Sequence, residues 1–193
     1  MEERKKIMEI RRLLDFLKTA EQLKCNTRHS YTSNGRLESV AEHSWRLALM
    51  AMLVGDEFPE LDIDKVIKMC LIHDLGECFI GDIPCFAKTE TDEENEEKQL
   101  RAWTATLPEP YCGEMAALYD EMLALETTEA RIYKALDNME AVLQHNESPI
   151  STWEPHEYEL NLTYAADKAA FSPYMTALRQ AIRKETEEKI KNG

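Results

Sequence analysis

The stretch from Cys70 to Pro84, CLIHDLGECFIGDIP, holds the side chains of this sequence that could do chemistry together. Its centre is an adjacent imidazole and carboxylate, His73 and Asp74, and the preceding segment is almost continuously apolar. That pattern predicts a buried helix over Ile63 to Ile72 that also carries the pair. An ionised carboxylate is costly to bury unless it is paired, hydrogen-bonded or bound to a metal. A divalent cation would satisfy both side chains at once.

Two further carboxylates follow in the same stretch. Glu77 comes four residues after His73, so on a continuous helix it would overhang the same face and suit a general acid or base. The turn predicted at Gly81 would end the helix and direct Asp82 back toward the site. Gly76 is expected to let another backbone approach closely. The alternative is that a His-Asp dipeptide occurs by chance, so the remaining sequence has to be weighed with it.

Two other predicted helices bring one ligand-type residue each. Ser39 and Glu42 have the spacing of a capping box, and the apolar stripe that includes Leu47 extends back to His43. The helix predicted over Thr128 to Asn146 places Asp137 at the edge of its buried face. An inward histidine is more often a hydrogen-bonded core residue than a ligand. Here, however, His43 would face the helix that carries the His-Asp pair.

Together these residues form a His…His-Asp…Asp pattern over three predicted helices, with His43, His73, Asp74 and Asp137 as members. Two imidazoles and two carboxylates suit one divalent metal ion such as Mn, Co, Fe, Zn or Mg, and not a thiolate zinc site. Open coordination positions would hold water and a phosphate oxygen, so the metal would lower the pKa of the water and neutralise negative charge that develops on the phosphate.

The segment 25–37, CNTRHSYTSNGRL, is polar and contains Asn-Gly, so it is predicted to be a loop. Its cations and rings, Arg28, His29, Tyr31 and Arg36, are of the types that grip a phosphate and stack on a base or sugar. We predict these four residues as substrate-binding. The alternative is an ordinary solvated loop.

Composition limits the class of protein. The chain has 193 residues, a formal net charge of -14 and no alternating run typical of a strand, which predicts one all-α domain. The negative charge disfavours a nucleic-acid polymer as partner but allows a small phosphorylated substrate near a metal and arginines. Five cysteines without CxxC spacing predict a reducing compartment. No apolar run approaches the roughly 20 residues of a membrane span, so we expect a cytoplasmic protein without membrane contact.

The remaining segments are predicted mainly as helices. An opening amphipathic helix from about Glu3 to Lys24 is expected to pack on the core. The acidic run Thr89 to Gln99 predicts a solvated helix, with a mobile lid over the site as the alternative. The sequence further predicts helices over Tyr111 to Leu125, over His156 to Ala170 and from Ser172-Pro173 onward. Of the cysteines, Cys70 is expected in the core, and Cys78 and Cys85 are expected to flank the His-Asp pair. We expect one domain over 1–193, with a metal-site core at about 23–145 and C-terminal packing helices at about 156–191.

The segments ESVAEHSWRLALMAM and HDLGECFIGDIP resemble the HD-domain superfamily of metal-dependent phosphohydrolases, and within it the 5'-deoxynucleotidase branch. The resemblance extends from about Leu23 to His145. It implies a single-domain helical bundle of the HD-domain type, in which Glu77 and Asp82 serve water activation or protonation of the leaving oxygen. It also implies a phosphate contact for Arg28. The four ligands it implies are His43, His73, Asp74 and Asp137.

One position departs from that branch, which usually has Trp where this sequence has His29; the nearest large aromatic residue is Tyr31. The departure concerns deoxyribose selectivity rather than the reaction class. The resemblance therefore implies a phosphomonoesterase acting on nucleoside 5'-monophosphates. Another HD-type nucleotide hydrolase (a phosphodiesterase, an alarmone-type pyrophosphohydrolase or a triphosphohydrolase) and a non-catalytic metal-stabilised ligand-binding protein are the alternatives. Homodimers are common in such proteins, and Met50 or Met52 could serve an interface, although such methionines fill cores at least as often.

Overall fold

The structure is a computed structural model, and it describes residues 9–84 and 87–193. The predicted residue Cys85 and the start of the opening helix at Glu3 lie outside the described residues. The helices are α1 Ile10–Ala20, α2 Val40–Val54, α3 Ile63–Ile72, α4 Glu77–Ile80, α5 Glu90–Thr104, α6 Tyr111–Ala124, α7 Thr128–Glu147, α8 Glu157–Thr163, α9 Ala166–Ala169 and α10 Pro173–Asn192. The predicted all-α, single-domain class is confirmed. None of the described helices combines the length and apolar character needed to cross a membrane.

Three helices form the centre of the fold. The inward faces of α2, α3 and α7 pack on one another and bury a continuous apolar core. The helix α2 begins as predicted, because Ser39 Oγ accepts from the backbone N–H of Glu42 and the Glu42 carboxylate accepts from the backbone N–H of Ser39. This capping box orients the first turn of α2, so that His43 faces inward and is fully buried.

The segment after α3 differs from the prediction. The helix ends at Ile72, so His73 and Asp74 lie in a tight turn after the helix and not within it. The backbone N–H of Glu77 donates to the carbonyl of Asp74 over 3.0 Å, and α4 begins there. Gly81, with φ +78°, ends α4 as predicted. The turn after Ile72 lets both side chains of the His-Asp pair face the predicted metal site.

A β-hairpin replaces the predicted loop at 25–37. Strand β1, Thr27–Tyr31, pairs antiparallel with β2, Leu37–Ser39, through the register Thr27–Ser39 and Tyr31–Leu37. The sequence TRHSY has no apolar alternation, which is why its pattern did not predict a strand. Gly35 adopts φ +83° in the connecting turn. The hairpin packs against α7 and fixes the side chains of β1 beside the metal-ligand candidates.

Two further helix predictions were wrong. Helix α1 does not pack its apolar stripe into the core, because Ile10, Leu14 and Leu17 are 77%, 54% and 53% exposed. The helix predicted over His156 to Ala170 is divided into α8 and α9. At the break, Arg179 of α10 donates from Nε to the carbonyl of Tyr164 over 2.5 Å and from Nη2 to that of Asn161 over 2.8 Å. Those carbonyls are therefore engaged outside the helix.

The close neighbour of Gly76 is a side chain and not the backbone we expected. An added Cβ at Gly76 would lie 2.6 Å from Cγ of Glu96 on α5. Glu96 in turn pairs with Lys88 over 2.5 Å. The acidic helix α5 exists as predicted, and this contact holds it against the turn that carries the His-Asp pair.

Candidate metal centre

The four predicted metal ligands converge on one point. His73 Nε2 lies 3.0 Å from Asp74 Oδ2 and 3.5 Å from Asp137 Oδ1. His43 Nε2 lies 3.2 Å from the same Asp137 oxygen and 3.9 Å from Asp74 Oδ2. Helix α2, the turn after α3 and helix α7 each contribute, so residues up to 94 positions apart share the site.

The far nitrogen of each imidazole is held by an acceptor. His73 Nδ1 lies 2.9 Å from the carbonyl of Cys70, and His43 Nδ1 contacts the carboxylate of Glu140. A proton on each Nδ1 satisfies these acceptors and leaves the Nε2 lone pairs directed at the two aspartates, as in metal-binding histidines. The buried His73 Nε2 makes no hydrogen bond. Two imidazole nitrogens and two carboxylates with an unsatisfied atom among them fit a divalent cation.

The charges at this centre support the same interpretation. Burial alone would raise the pKa of Asp74, but the adjacent His73 imidazolium lowers it to about 2. Burial would lower the pKa of His73, but Asp74 and Asp137 raise it to about 10. The aspartates are thus ionised and attract positive charge, which a cation can supply in place of the imidazole protons.

Sequence reasoning missed a buried carboxylate behind the ligands. Glu140 is fully buried on α7, and besides contacting His43 it accepts from Arg46 Nε through Oε1 over 2.6 Å. Its sequence signal is its place one helical turn after Asp137, beside the core residue Met139. Lys134, one turn before Asp137, pairs with Asp137 Oδ2 over 2.7 Å. These partners orient the ligands and balance their charge.

The predicted catalytic carboxylates border the centre. A cavity of about 270 Å³ includes Glu77 and Asp82 in its wall together with Asp74 and Asp137. Burial, and then the neighbouring charges of Asp74 and Asp82, raise the pKa of Glu77 to about 10. Burial also raises the pKa of Asp82. Glu77 Oε2 is buried without a hydrogen-bond partner, so a protonated Glu77 faces the cavity with hydrogen-bonding capacity unused.

The structure brings two of the four predicted substrate-binding residues to this cavity. Arg28 and His29 line it, and Arg28 Nε lies 3.4 Å from Glu38 Oε2 but makes no hydrogen bond. Arg36 instead lies on the surface, where its guanidinium pairs with Glu42 over 2.5 and 2.8 Å. Tyr31 is not among the residues that line the cavity, and its carbonyl accepts from Gln144 Nε2.

A second cavity of about 580 Å³ adjoins the same centre between α5, α6 and α7. Both cavities are lined by Asp74, Lys88, Glu93 and Lys134. Helix α5 contributes Glu93 to this shared wall, so the acidic segment borders both cavities. The mobile lid considered for this segment stays a prediction.

Known proteins match most of this chain. A family model described as HD domain matches residues 20–179. The chain belongs to the HD domain family. It is 36% identical over 141 residues to the protein named 5'-deoxynucleotidase HDDC2 from Homo sapiens, covering 71% of this chain and 68% of that one. A Dictyostelium discoideum protein of the same name is 33% identical over 156 residues, covering 76% of this chain and 80% of that one.

A solved structure is similar to this chain over nearly its whole length. The protein described as a predicted metal-dependent phosphohydrolase from Magnetospirillum magnetotacticum is 29% identical, with a TM-score of 0.76. The match covers 93% of each chain. The fold implied by the sequence resemblance is thereby confirmed.

Proposed function

We propose that this protein is a metal-dependent 5'-nucleotidase that releases phosphate from nucleoside or deoxynucleoside 5'-monophosphates. The observation that carries the proposal is the convergence of His43, His73, Asp74 and Asp137 beside a cavity that also presents Arg28 and Glu77. The names of the related proteins, 5'-deoxynucleotidase and metal-dependent phosphohydrolase, support this reaction class.

Each residue then has a role in hydrolysis. A divalent cation held by the four ligands would supply Lewis-acid stabilisation and lower the pKa of a bound water. The half-buried Arg28, whose Nε–H makes no hydrogen bond although Glu38 Oε2 lies 3.4 Å away, binds the phosphate. Asp82 takes a proton from the attacking water, and protonated Glu77 donates one to the 5' oxygen as the bond from phosphorus to that oxygen breaks. The products are a nucleoside and inorganic phosphate.

The experiment that tests the reaction is phosphate release from matched ribo- and deoxynucleoside 5'-monophosphates, with Mn, Co, Zn and Mg supplied separately. We expect release with at least one of these ions. Release of a nucleotide from cyclic or diester substrates, or of pyrophosphate from alarmones or triphosphates, without any release from monophosphates would refute the monophosphatase. No turnover on any of these substrates would favour a non-catalytic binding protein.

Two variants separate metal binding from proton transfer. We expect Asp137→Asn to lose one equivalent of bound metal by elemental analysis. We expect Glu77→Gln to keep its metal and to lose roughly 10²- to 10⁴-fold in turnover, which is the usual contribution of a positioned acid or base. Glu159→Gln, an exposed change on α8, is the matched control and should alter neither quantity. Full activity in Glu77→Gln would remove Glu77 from the mechanism.

We also propose that the chain forms a homodimer in the cytoplasm. The outer face of α2 leaves Trp45, Met52 and Leu53 exposed, whereas Met50 packs against the core. Light scattering on Met52→Lys should show a shift from dimer to monomer; a wild-type monomer would refute the dimer.

The described cysteines are free thiols, which suits a reducing compartment.

A further inference from the structure

A second group of ligand-type side chains lies in the 270 Å³ cavity, apart from the four metal-ligand candidates. It consists of His29 on β1, His145 on α7 and Glu157 at the start of α8. Glu157 Oε1 lies 3.0 Å from His29 Nε2 and 3.5 Å from His145 Nε2, and the three atoms lie within 4.8 Å of one another. Three separate elements therefore present two nitrogens and one oxygen to a common point.

The separations match those of ligands around a small cation. Ligands about 2.0 to 2.1 Å from a tetrahedral ion are roughly 3.3 to 3.4 Å apart, between the two observed distances. Glu157 is only 2% exposed, and its other oxygen, Oε2, already accepts from the backbone N–H of Glu154 over 2.7 Å. Oε1 is thus fixed in its orientation toward the imidazoles. Burial lowers the pKa of His145 to about 4, which keeps its ring neutral and able to act as a ligand.

The charge of the cavity favours an additional cation. Six carboxyl side chains and three cationic side chains line it, and even with Glu77 protonated two negative charges remain uncompensated. A phosphate monoester adds up to two more. One divalent ion at the first centre would offset only half of that total. An anionic substrate therefore enters this cavity more favourably if a second divalent ion is bound there.

We propose that His29, His145 and Glu157 form a second divalent-cation site that takes a transition metal such as Zn²⁺ or Co²⁺ and leaves an open position toward the cavity. A two-histidine, one-carboxylate set with an open position is a common arrangement for zinc. Binding would replace two contacts of the ion-free protein. These are the one between His29 and Glu157, and the 3.3 Å contact between Ser30 Oγ and His145 Nε2.

Counting bound Co²⁺ on ion-stripped protein, by equilibrium dialysis with visible absorption of the bound ion, tests this site. We expect two ions per wild-type chain, one in Glu157→Gln and one in Asp137→Asn, and none in the double variant. Glu157→Gln keeps the size of the side chain, and His29→Asn is the second variant because His29 is one third exposed. Glu154→Gln, an exposed carboxylate three residues away, is the matched control and should retain two ions.

The outcomes separate the two proposals. One ion per wild-type chain with none in Asp137→Asn would overturn the second site, as would two ions in both Glu157→Gln and His29→Asn. The count does not depend on turnover. Failure of the nucleotidase assay would therefore leave this test intact, and a missing second ion would leave the first centre intact.

Discussion

Replacing Glu140 with Gln tests whether a buried side chain behind the ligands sets the affinity of the first metal centre. In the native protein one carboxylate oxygen contacts His43 Nδ1 and the other accepts from Arg46 Nε. Both neighbours are donors, whereas a glutamine offers one oxygen and one NH₂ group. If the NH₂ group faces His43, the ring moves its proton to Nε2 and loses the lone pair that a metal requires. If it faces Arg46, the Nε–H of Arg46 loses its carboxylate acceptor, while Nη1 keeps its ion pair with Glu147.

The expected magnitude follows from this geometry. Removing such an outer partner of a ligating histidine typically lowers metal affinity 10- to 100-fold, which corresponds to about 1.4 to 2.7 kcal/mol. Glu140 is fully buried, so we expect the upper part of this range. Activity at saturating metal should recover more than activity at limiting metal, because the defect lies in binding.

The assay is chelator competition for Co²⁺, carried out in the Glu157→Gln background so that one site is titrated. Glu147→Gln is the matched control: this residue lies on the same helix and pairs with Arg46 Nη1 over 2.5 Å, but it is half exposed and does not contact His43. An unchanged dissociation constant in Glu140→Gln would refute the reasoning. An equal loss in Glu147→Gln would show that Arg46, and not the tautomer of His43, is what matters.

Three further predictions concern stability. Tyr119→Phe removes a 2.6 Å hydrogen bond to the carbonyl of Ile72, next to the His-Asp turn, and should lower the free energy of unfolding in urea by about 1 kcal/mol. Burial lowers the folded-state pKa of His145 to about 4, so the unfolded chain binds its proton first as pH falls below about 6.5. The free energy of unfolding of the ion-free protein should therefore fall by at most about 3 kcal/mol between pH 6.5 and 4. In His145→Gln this free energy should fall less steeply with pH; an equal pH dependence in the two proteins would contradict the prediction. Gly76→Ala should lower the melting temperature by displacing Glu96, and less so in the Glu96→Ala background; equal losses in both backgrounds would contradict the contact.

Some parts of this site were open to prediction from local pattern. The capping box at Ser39 sets the phase of α2, and with the phase known the apolar stripe places His43 inward. The same reasoning placed Asp137 on α7. It failed for His73, because an apolar run shows that a segment is buried but does not show where its helix ends. The i to i+3 hydrogen bonds of the turn after Ile72 leave no periodic signal.

The amphipathic pattern of a helix also did not show whether its apolar stripe faces the core or the surface. The stripe of Ile10, Leu14 and Leu17 is regular, but in this structure it lies on the surface. Arg36 shows the same limit for polar residues: its type suits phosphate, yet the hairpin turns it toward Glu42. Contacts across long sequence distances, such as Glu157 with His29 over 128 positions, have no local signature at all.

The charge of the chain explains why these long-range partners matter for function. A protein with net charge -14 repels a dianionic substrate, and acidic side chains outnumber cationic ones around the centre. Two carboxylates at the centre are opposed by a particular cation, Asp137 by Lys134 and Glu140 by Arg46. Arg28 Nε lies 3.4 Å from Glu38 Oε2 without a hydrogen bond, so an anion that binds Arg28 competes with this long ion pair. We therefore expect the affinity for a phosphate ester to depend on Arg28 and on the bound cations, and not on the overall field of the protein.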